Sequence, residues 1–237
     1  MTTFKDLGVH GNYIKALKEL QIKIPTEIQE KTIPVLLKTK TDYIGLAQTG
    51  TGKTAAYGLP VLNSIDTNSA VVQALILSPT RELVQQIKKQ LFKFTKFNEE
   101  KIFVEAVYGG EKIEKQMQRL QRPTHIIVAT PGRLIDLIEK GNVNLRSIKT
   151  VVLDEADEML SMGFKKELDA ILNYTSGSRN TWLFSATMPE EILRIISKYM
   201  EPSAVKVSVN KESLVNANIS HQYLITSIKE KTTVVSQ

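Results

Sequence analysis

The chain contains no cysteine among its 237 residues. Disulfides, thiol chemistry and cysteine-ligated zinc are therefore excluded, and His10, His125 and His221 are too scattered to form a metal site. Apolar runs are also short, and none approaches the roughly 18 residues of a membrane-spanning helix. The amino-terminal stretch lacks the basic and apolar segments of a secretion signal. These absences predict a cytoplasmic protein with no membrane partner, in which any metal arrives with a ligand.

Basic residues are in small excess over acidic ones. The chain has 31 basic and 25 acidic residues, a formal net charge of +6. A basic chain can gain from counterion release on a polyanion, but this excess alone is weak evidence for such a partner. The most visible basic stripe, Lys89, Lys93 and Lys96, lies opposite the apolar face of a predicted helix. We interpret the stripe as a solvent-exposed helix face.

Apolar segments of strand length alternate with helical periodicity along most of the chain. Strands rich in Val, Ile and Leu, each followed by a helix, predict a parallel sheet with helices on both faces. The fold class is therefore α/β with a doubly wound parallel sheet, whose ligands bind beyond the carboxyl ends of the strands. Two short helices, about residues 11–20 and 26–38, precede the first strand and form a helical annex. The later helical segments are predicted over residues 52–65, 80–96, 111–120, 131–139, 155–172 and 189–200.

The pattern changes near residue 209. The last strand of the series is predicted at residues 204–209, and residues 210–222 are polar and lack periodicity. Residues 223–228, YLITSI, resemble one more strand. We therefore predict one domain over residues 1–209, followed over residues 210–237 by a linker and the start of a second domain.

The stretch AQTGTGKT follows the first predicted strand and opens a helix, which is the context that a phosphate-binding loop requires. We call residues 47–54 the phosphate loop. Its glycines let backbone amides converge on an anion at a helix amino terminus, a lysine adds a positive charge, and the last threonine offers a hydroxyl to a phosphate-bound Mg²⁺. The alternative is a glycine-rich turn with a helix-capping threonine. The candidate nucleotide-binding residues are Gln48, Thr49, Gly50, Thr51, Gly52, Lys53 and Thr54.

Two adjacent carboxylates, Asp154 and Glu155, end a predicted buried strand. Burying such a pair is costly unless a cation or a reacting proton requires it. Asp154 is suited to hold Mg²⁺, and Glu155 to orient and deprotonate the water that attacks a γ-phosphate. With Lys53 they are the candidate catalytic residues, and Thr54 with Asp154 the candidate metal ligands. The alternative is that Asp154 only caps the helix that begins at Ala156.

Seven short motifs occur in a fixed order. They are IPTEIQ (24–29), AQTGTGKT (47–54), PTREL (79–83), GG (109–110), TPGR (130–133), DEAD (154–157) and SAT (185–187). Together they resemble the amino-terminal RecA-like domain of DEAD-box ATP-dependent RNA helicases, over about residues 4–209. The resemblance implies a RecA-like P-loop fold, ATP and Mg²⁺ as cofactors, and RNA bound through the backbone of one strand.

The resemblance also implies roles for residues outside the phosphate loop. Gln29 would recognise the adenine edge, Phe4 would stack on the base, and Thr26 would support this part of the chain. Ser185, Thr187 and Asp157 would couple nucleotide state to RNA binding. The residues implied to contact or support the RNA backbone are Pro79, Thr80, Arg81, Gly110, Thr130, Gly132 and Arg133.

Structural alternatives remain open for several of these residues. Thr26 with Gln29, and Thr187 with Glu190, each fit a helix capping box. Thr130 before a proline fits an ordinary helix start. The alternative role for Phe4 is to pin the amino terminus to the core, and Trp182 is expected in the core. The chain departs from the family pattern at Gln21, Ile22 and Glu27, next to the implied adenine pocket, and from the usual phosphate-loop pattern at Ala47.

In this family the active ATPase is assembled from two RecA-like domains, and the second is the expected partner of this one. Residues 1–237 alone are accordingly expected to be monomeric, to bind ATP or ADP weakly and to hydrolyse almost none. Two other functions fit the same motifs less well. One is a nucleotide-gated RNA clamp or scaffold, and the other is a different two-lobed nucleic-acid translocase.

Overall fold

A computed structural model describes residues 2–175 and 177–209. The strand predicted at residues 223–228 and the segment from residue 210 onward lie outside these ranges. The helices are α1 (Gly11–Glu19), α2 (Glu27–Lys38), α3 (Lys53–Asn63), α4 (Arg81–Phe94), α5 (Ile113–Leu120), α6 (Pro131–Glu139), α7 (Ala156–Ser161), α8 (Lys165–Tyr174) and α9 (Glu190–Tyr199). The strands are β1 (Tyr43–Leu46), β2 (Ala74–Leu77), β3 (Val104–Val107), β4 (Ile126–Ala129), β5 (Thr150–Asp154), β6 (Asn180–Ser185) and β7 (Val205–Ser208).

The seven described strands form one sheet in the order β3-β4-β2-β5-β6-β1-β7, and every neighbouring pair is parallel. The predicted doubly wound α/β fold and its helical annex are confirmed. Because all strands run in one direction, their carboxyl ends and the loops that follow lie along a single edge of the sheet. The motifs singled out after strands are therefore brought to the same side of the molecule.

Two apolar layers enclose the sheet. Alternate residues of a strand enter opposite layers: Ile76 joins the layer under α1–α4, whereas Leu75 and Leu77 join the layer under α6–α9. Every residue of β2, β4 and β5 is buried, which explains why these segments lack polar alternation, whereas the edge strands β3 and β7 are partly exposed. Lys89 and Lys93 are exposed on α4, and Lys96 is exposed two residues after it, as expected for a solvent-facing stripe. No helix in the described part of the chain has the length and apolarity to span a bilayer.

The predicted helix over residues 155–172 is two helices. α7 ends at Ser161 and α8 begins at Lys165, with Gly163 between them at φ +86°. A left-handed residue interrupts the helical hydrogen-bond ladder, and glycine adopts this conformation without a Cβ clash. The apolar periodicity continues across the break because both helices bury residues in the same layer.

Asp42 joins three strands at the opposite edge of the sheet. Its carboxylate is 6% exposed and accepts hydrogen bonds from the backbone N–H of Thr181, at 2.6 Å, and of Glu201, at 2.7 Å. Next to it, the buried Trp182 donates its indole N–H to the Thr41 carbonyl at 3.1 Å. Trp182 is thus a core residue, as expected. Asp42 fixes the start of β1 relative to β6 and to the segment that leads into β7.

We predict that Asp42→Ala destabilises the domain. The substitution leaves two buried N–H donors without an acceptor, at a cost of about 2–4 kcal/mol in the free energy of unfolding. Asp6→Ala, which removes an exposed carboxylate from an amino-terminal turn, is the control and should cost less than about 1 kcal/mol. Urea denaturation measures both. Equal losses for the two variants would contradict the structural role of Asp42.

Candidate functional site

The phosphate loop leaves β1 and turns into α3. Gly50 and Gly52 lie at φ +77° and +93°, and Gly52 is the residue immediately before the helix. Thr51 Oγ1 donates to the Gln48 carbonyl at 2.7 Å and closes the turn. The amino terminus of α3, with its free N–H groups and positive dipole end, therefore opens into the loop. This arrangement suits an anion such as a phosphate chain.

Lys53 begins α3 and is 6% exposed. Its ammonium Nζ donates to the Ala47 carbonyl at 3.2 Å, so the side chain folds back beneath the loop. A buried ammonium requires compensating partners, and the carboxylate of Asp154 is close enough for its pKa to respond to the Lys53 charge. The positive charge is thus held inside the turn rather than on the surface.

Gln29 connects the helical annex to the phosphate loop. Its Oε1 accepts from the Thr26 backbone N–H at 3.0 Å, and its Nε2 donates to the Gly52 carbonyl at 3.0 Å. The first contact confirms that Gln29 takes part in a capping interaction at the start of α2. The second places the same amide against the loop, 23 residues away in sequence. The Gln29 side chain therefore caps α2 and also lies against the phosphate loop, next to which a residue that recognises the base of a nucleotide is expected.

Asp154 ends β5 and faces α3 across the site. Its carboxylate is 5% exposed; Oδ2 accepts from the Tyr57 hydroxyl at 2.9 Å, and Oδ1 is buried with no hydrogen-bond partner among the described residues. Burial raises the pKa of Asp154 to about 6, against the lowering effects of the Lys53 charge and the Tyr57 hydrogen bond. The helix-cap alternative is wrong, because Glu155 occupies the residue before α7 and the Asp154 side chain points to Tyr57.

Glu155 has a left-handed backbone conformation, φ 54° and ψ 51°. A residue with a Cβ adopts this region at a cost, and such strain is concentrated at functional sites. The conformation turns the chain sharply between β5 and α7. Adjacent carboxylates are thereby separated, with Asp154 buried under the loop and Glu155 half-buried.

The donors around the loop fit a hard divalent cation. An unpartnered buried carboxylate oxygen, Asp154 Oδ1, lies opposite the α3 terminus that carries Thr54, and Mg²⁺ prefers oxygen ligands of this kind. Residues 2–175 and 177–209 contain no group of three or more His, Cys, Asp or Glu side chains arranged as a metal site. The protein would thus supply few ligands, and the phosphates and waters would supply the others.

Ser185, Thr187 and Asp157 form one hydrogen-bonded group. Asp157 Oδ2 accepts from the Thr187 backbone N–H at 2.9 Å and from its hydroxyl at 2.7 Å, and Ser185 Oγ donates to the Thr187 carbonyl at 2.7 Å. The capping-box alternative for Thr187 is wrong, because α9 begins at Glu190 with Pro189 at its cap. The segment after β6 is instead tied to α7, whose preceding residues contribute the acidic pair.

A second group of loops lies next to this site, after β2, β3 and β4. The Arg81 guanidinium lies over the Tyr108 ring, 5.2 Å from its centroid, and beside Gly110, where a Cβ would approach Arg81 Nη1 to 3.2 Å. Arg133 Nη1 donates to the Glu111 carbonyl at 2.9 Å. Thr80 caps α4 by accepting from the Leu83 N–H at 3.3 Å. Two guanidinium groups and backbone at a glycine thus form a surface suited to a phosphate backbone.

Burial limits what three of the predicted contact residues can offer to a ligand. Pro79 is enclosed, and Thr130 is 8% exposed at the start of α6 with Pro131 following, which confirms the helix-start alternative. These residues position their exposed neighbours and offer little surface themselves. Phe4 is 3% exposed within the apolar layer under α1–α4. This burial favours its alternative role, because a ring that stacks on a base must present one face to the ligand.

Sequence reasoning missed Tyr57 and Tyr108. Tyr57 lies one turn after Lys53, and in the sequence it is only one residue of a helical pattern. In the structure its hydroxyl contacts Asp154, 97 residues away. Tyr108 supports Arg81 and accepts a hydrogen bond from Gln85 Nε2 at 2.8 Å. A buried tyrosine at i+4 from a phosphate-loop lysine was the one available signal, since a buried hydroxyl requires a polar partner.

Comparison with known proteins agrees with this geometry. Residues 26–195 match the DEAD/DEAH box helicase family. The chain is 45% identical over 238 aligned positions to the DEAD-box ATP-dependent RNA helicase CshA of Geobacillus kaustophilus (strain HTA426), covering 100% of this chain and 50% of that protein. It is 46% identical to the ATP-dependent RNA helicase CshA of Limosilactobacillus reuteri, over 88% of this chain and 41% of the relative. The chain therefore spans about half the length of the curated relatives that it matches.

Solved structures show the same fold. A DEAD box protein from the hyperthermophile Methanococcus jannaschii is similar with a TM-score of 0.84 and 36% identity, covering 99% of this chain and 62% of that one. The yeast DEAD-box splicing factor Prp28 is similar with a TM-score of 0.82 and 33% identity, over 90% of this chain and 52% of that one. Helices and strands of this chain thus have counterparts over nearly its whole described length.

We predict that Gly52→Ala damages the loop more than Gly50→Ala. Both glycines have positive φ, so each substitution carries about 1–2 kcal/mol of backbone strain. A Cβ at Gly52 would also lie 2.4 Å from Gln29 Nε2, whereas nothing lies within 4 Å of one at Gly50. Gly52→Ala should therefore cost more stability in urea denaturation and should weaken nucleotide binding more. Equal effects of the two variants would show that the Gln29 contact is unimportant.

We predict that Asp154→Asn stabilises the unliganded domain in a pH-dependent way. The folded-state pKa is raised from its usual 3.8 to about 6, so the favourable contribution of protonation is present below about pH 4 and is lost as the pH rises through about 6. Asparagine cannot ionise, and the variant should be more stable than wild type by on the order of 2 kcal/mol at about pH 8.

This gain should shrink towards zero at about pH 4, as followed by denaturation across the pH range. Glu158→Gln, which neutralises an exposed carboxylate on α7, is the control and should change stability little at either pH. A loss of stability in Asp154→Asn at the alkaline end would contradict the prediction.

Proposed function

This chain belongs to the DEAD/DEAH box helicase family, and we propose that it is the ATP-binding domain of an ATP-dependent RNA helicase. The observation that carries the proposal is the position of the buried Lys53 and Asp154 around a helix amino terminus that follows two left-handed glycines. A nucleotide polyphosphate with its divalent cation would use both: the buried ammonium faces the phosphates, and Asp154 Oδ1, which has no hydrogen-bond partner among the described residues, faces the cation. The Gln29 contact at the same loop supports recognition of the attached base.

The phosphate loop would hold the ATP phosphates. Backbone N–H groups of residues 49–54, at the amino terminus of α3, would donate hydrogen bonds to the phosphate oxygens. Lys53 would neutralise the phosphate charge from within the turn. Thr54 and Asp154 would hold the Mg²⁺ that accompanies ATP, and this cation would supply charge neutralisation during phosphoryl transfer. Glu155 is assigned the general base, because it adjoins Asp154 and, unlike Asp154, is only half-buried.

RNA would bind the neighbouring loops through its sugar-phosphate backbone. Arg81, Gly110, Gly132 and Arg133 offer two guanidinium groups and glycine backbone, which contact phosphates without reading bases. Such a surface selects single strands by backbone geometry and not by sequence. The group of Ser185, Thr187 and Asp157 lies after β6 and next to the acidic pair, where a change at the γ-phosphate can reach the RNA-facing loops.

A second RecA-like domain would complete the ATPase in the full-length protein. Curated relatives are about twice as long as the part that this chain matches. An arginine supplied by a second domain to the transferring phosphoryl group is worth about three to five decades of turnover in related nucleotide hydrolases. We therefore expect residues 1–237 alone to hydrolyse ATP only slowly, and duplex remodelling to require the longer protein.

The test is ATP hydrolysis by the full-length protein, titrated separately with RNA and DNA of mixed sequence. We predict RNA-stimulated turnover that Glu155→Gln lowers by at least about two decades, with nucleotide affinity retained, as expected for loss of a general base. Glu158→Gln, an exposed neighbour on α7, is the control and should keep wild-type turnover.

Equal stimulation by RNA and DNA would favour a different nucleic-acid translocase. RNA binding without any ATP turnover would favour the non-enzymatic clamp or scaffold. Near-normal turnover in Glu155→Gln would remove Glu155 from the role of base.

A further inference from the structure

Tyr57 is the buried aromatic side chain closest to the acidic pair. It lies on α3, four residues after Lys53, and is fully buried. Its ring packs on Phe184 with 5.2 Å between centroids and an interplanar angle of 51°. Phe184 is the residue of β6 that pairs in register with Asp154 of β5. This packing fixes the ring beside the strand end and directs the hydroxyl at the Asp154 carboxylate.

The Tyr57 hydroxyl contacts a side chain proposed to hold the cation. It donates to Asp154 Oδ2 at 2.9 Å, and this hydrogen bond joins α3 to the end of β5.

This contact distinguishes the two oxygens of the Asp154 carboxylate. With Oδ2 engaged by Tyr57, Asp154 presents Oδ1, which has no partner among the described residues and is buried. Partners behind metal ligands orient those ligands, and their loss typically lowers metal affinity by about 10–100-fold.

We propose that Tyr57 is a positioning residue for the divalent cation: its hydroxyl holds Asp154 Oδ2 so that Asp154 presents Oδ1 to the Mg²⁺ of bound ATP. The inference rests on the proposed function, since it assumes that a Mg²⁺-nucleotide occupies the phosphate loop. It differs from a purely structural role, in which the phenol would only satisfy its own need for a hydrogen bond.

Tyr43 provides a matched control for that structural role. Tyr43 is also fully buried, and its hydroxyl shares a 2.6 Å hydrogen bond with Thr32. Its ring, like that of Tyr57, packs on Phe184, with 5.7 Å between the ring centroids. Tyr43→Phe and Tyr57→Phe each remove one buried hydroxyl and keep the ring. Only Tyr57→Phe removes a contact to the proposed cation ligands, and both variants should remain folded because core volume is retained.

The experiment measures binding of a fluorescent ATP analogue to residues 1–237 in EDTA and at increasing Mg²⁺. Tyr57→Phe should raise the Mg²⁺ concentration for half-maximal enhancement by about tenfold and leave binding in EDTA unchanged. Tyr43→Phe should follow wild type in both. In an Asp154→Asn background, Tyr57→Phe should add little further shift, since the ligand that it orients is already altered.

The inference is overturned if Tyr57→Phe has the wild-type Mg²⁺ dependence, if Tyr43→Phe shifts it equally, or if the Tyr57→Phe and Asp154→Asn effects add in full. A wild-type chain that binds the analogue with Mg²⁺ but shows these outcomes leaves the proposed function intact. A wild-type chain that binds no analogue under any condition refutes the proposed function itself, and this inference with it.

Discussion

Burial of one carboxylate under the phosphate loop is the constraint on which the site depends. Asp154 is placed at the end of a strand that is covered on both faces, where an ionised group is stable only with specific partners. Lys53 supplies charge and Tyr57 a hydrogen bond, both from α3, and they do not fully compensate for burial, since the pKa of Asp154 stays raised to about 6. Ionising Asp154 therefore still costs free energy in the unliganded domain. A cation that arrives with a ligand would remove this cost, which suggests that the site is suited to such a cation.

The parallel sheet makes this constraint possible. The seven described strands end at the same edge, so residues separated by about a hundred positions meet there without any long loop. β1 and β6 are neighbours, and β6 also pairs with β5, which places the phosphate loop, the Ser185 segment and the acidic pair side by side. The residues proposed to hold the cation, to act as the base and to link to a second ligand therefore lie in neighbouring loops, which the rigid core holds in place.

Two contacts outside the acidic pair extend the site into a connected unit. Gln29 ties the helical annex to Gly52, so a ligand that moves the loop acts on the annex. Asp157 ties α7 to the segment after β6 through Thr187, so the acidic pair and that segment are mechanically joined. These links join the annex to the phosphate loop and α7 to the segment after β6, so that a displacement of one is transmitted to the other.

The sequence by itself determined the strands, nearly all helices, the phosphate loop and the identity of the acidic pair. Each depends on local physics: apolar runs that suit a buried strand, glycines that permit positive φ, and a lysine and threonine that follow them at a helix start. The one wrong helix, over residues 155–172, failed because apolar periodicity continues through Gly163 while the backbone does not.

Only the tertiary structure decided which partner each polar side chain has. Gln29 both caps α2 and contacts Gly52, Thr187 binds Asp157 and does not cap α9, and Phe4 is enclosed in the core. Tyr57 is recognisable as part of the site only when β5 is placed beside α3, because its partner is 97 residues away in sequence. A hydrogen bond needs its two atoms about 3 Å apart, and that proximity is set by how strands and helices pack in three dimensions.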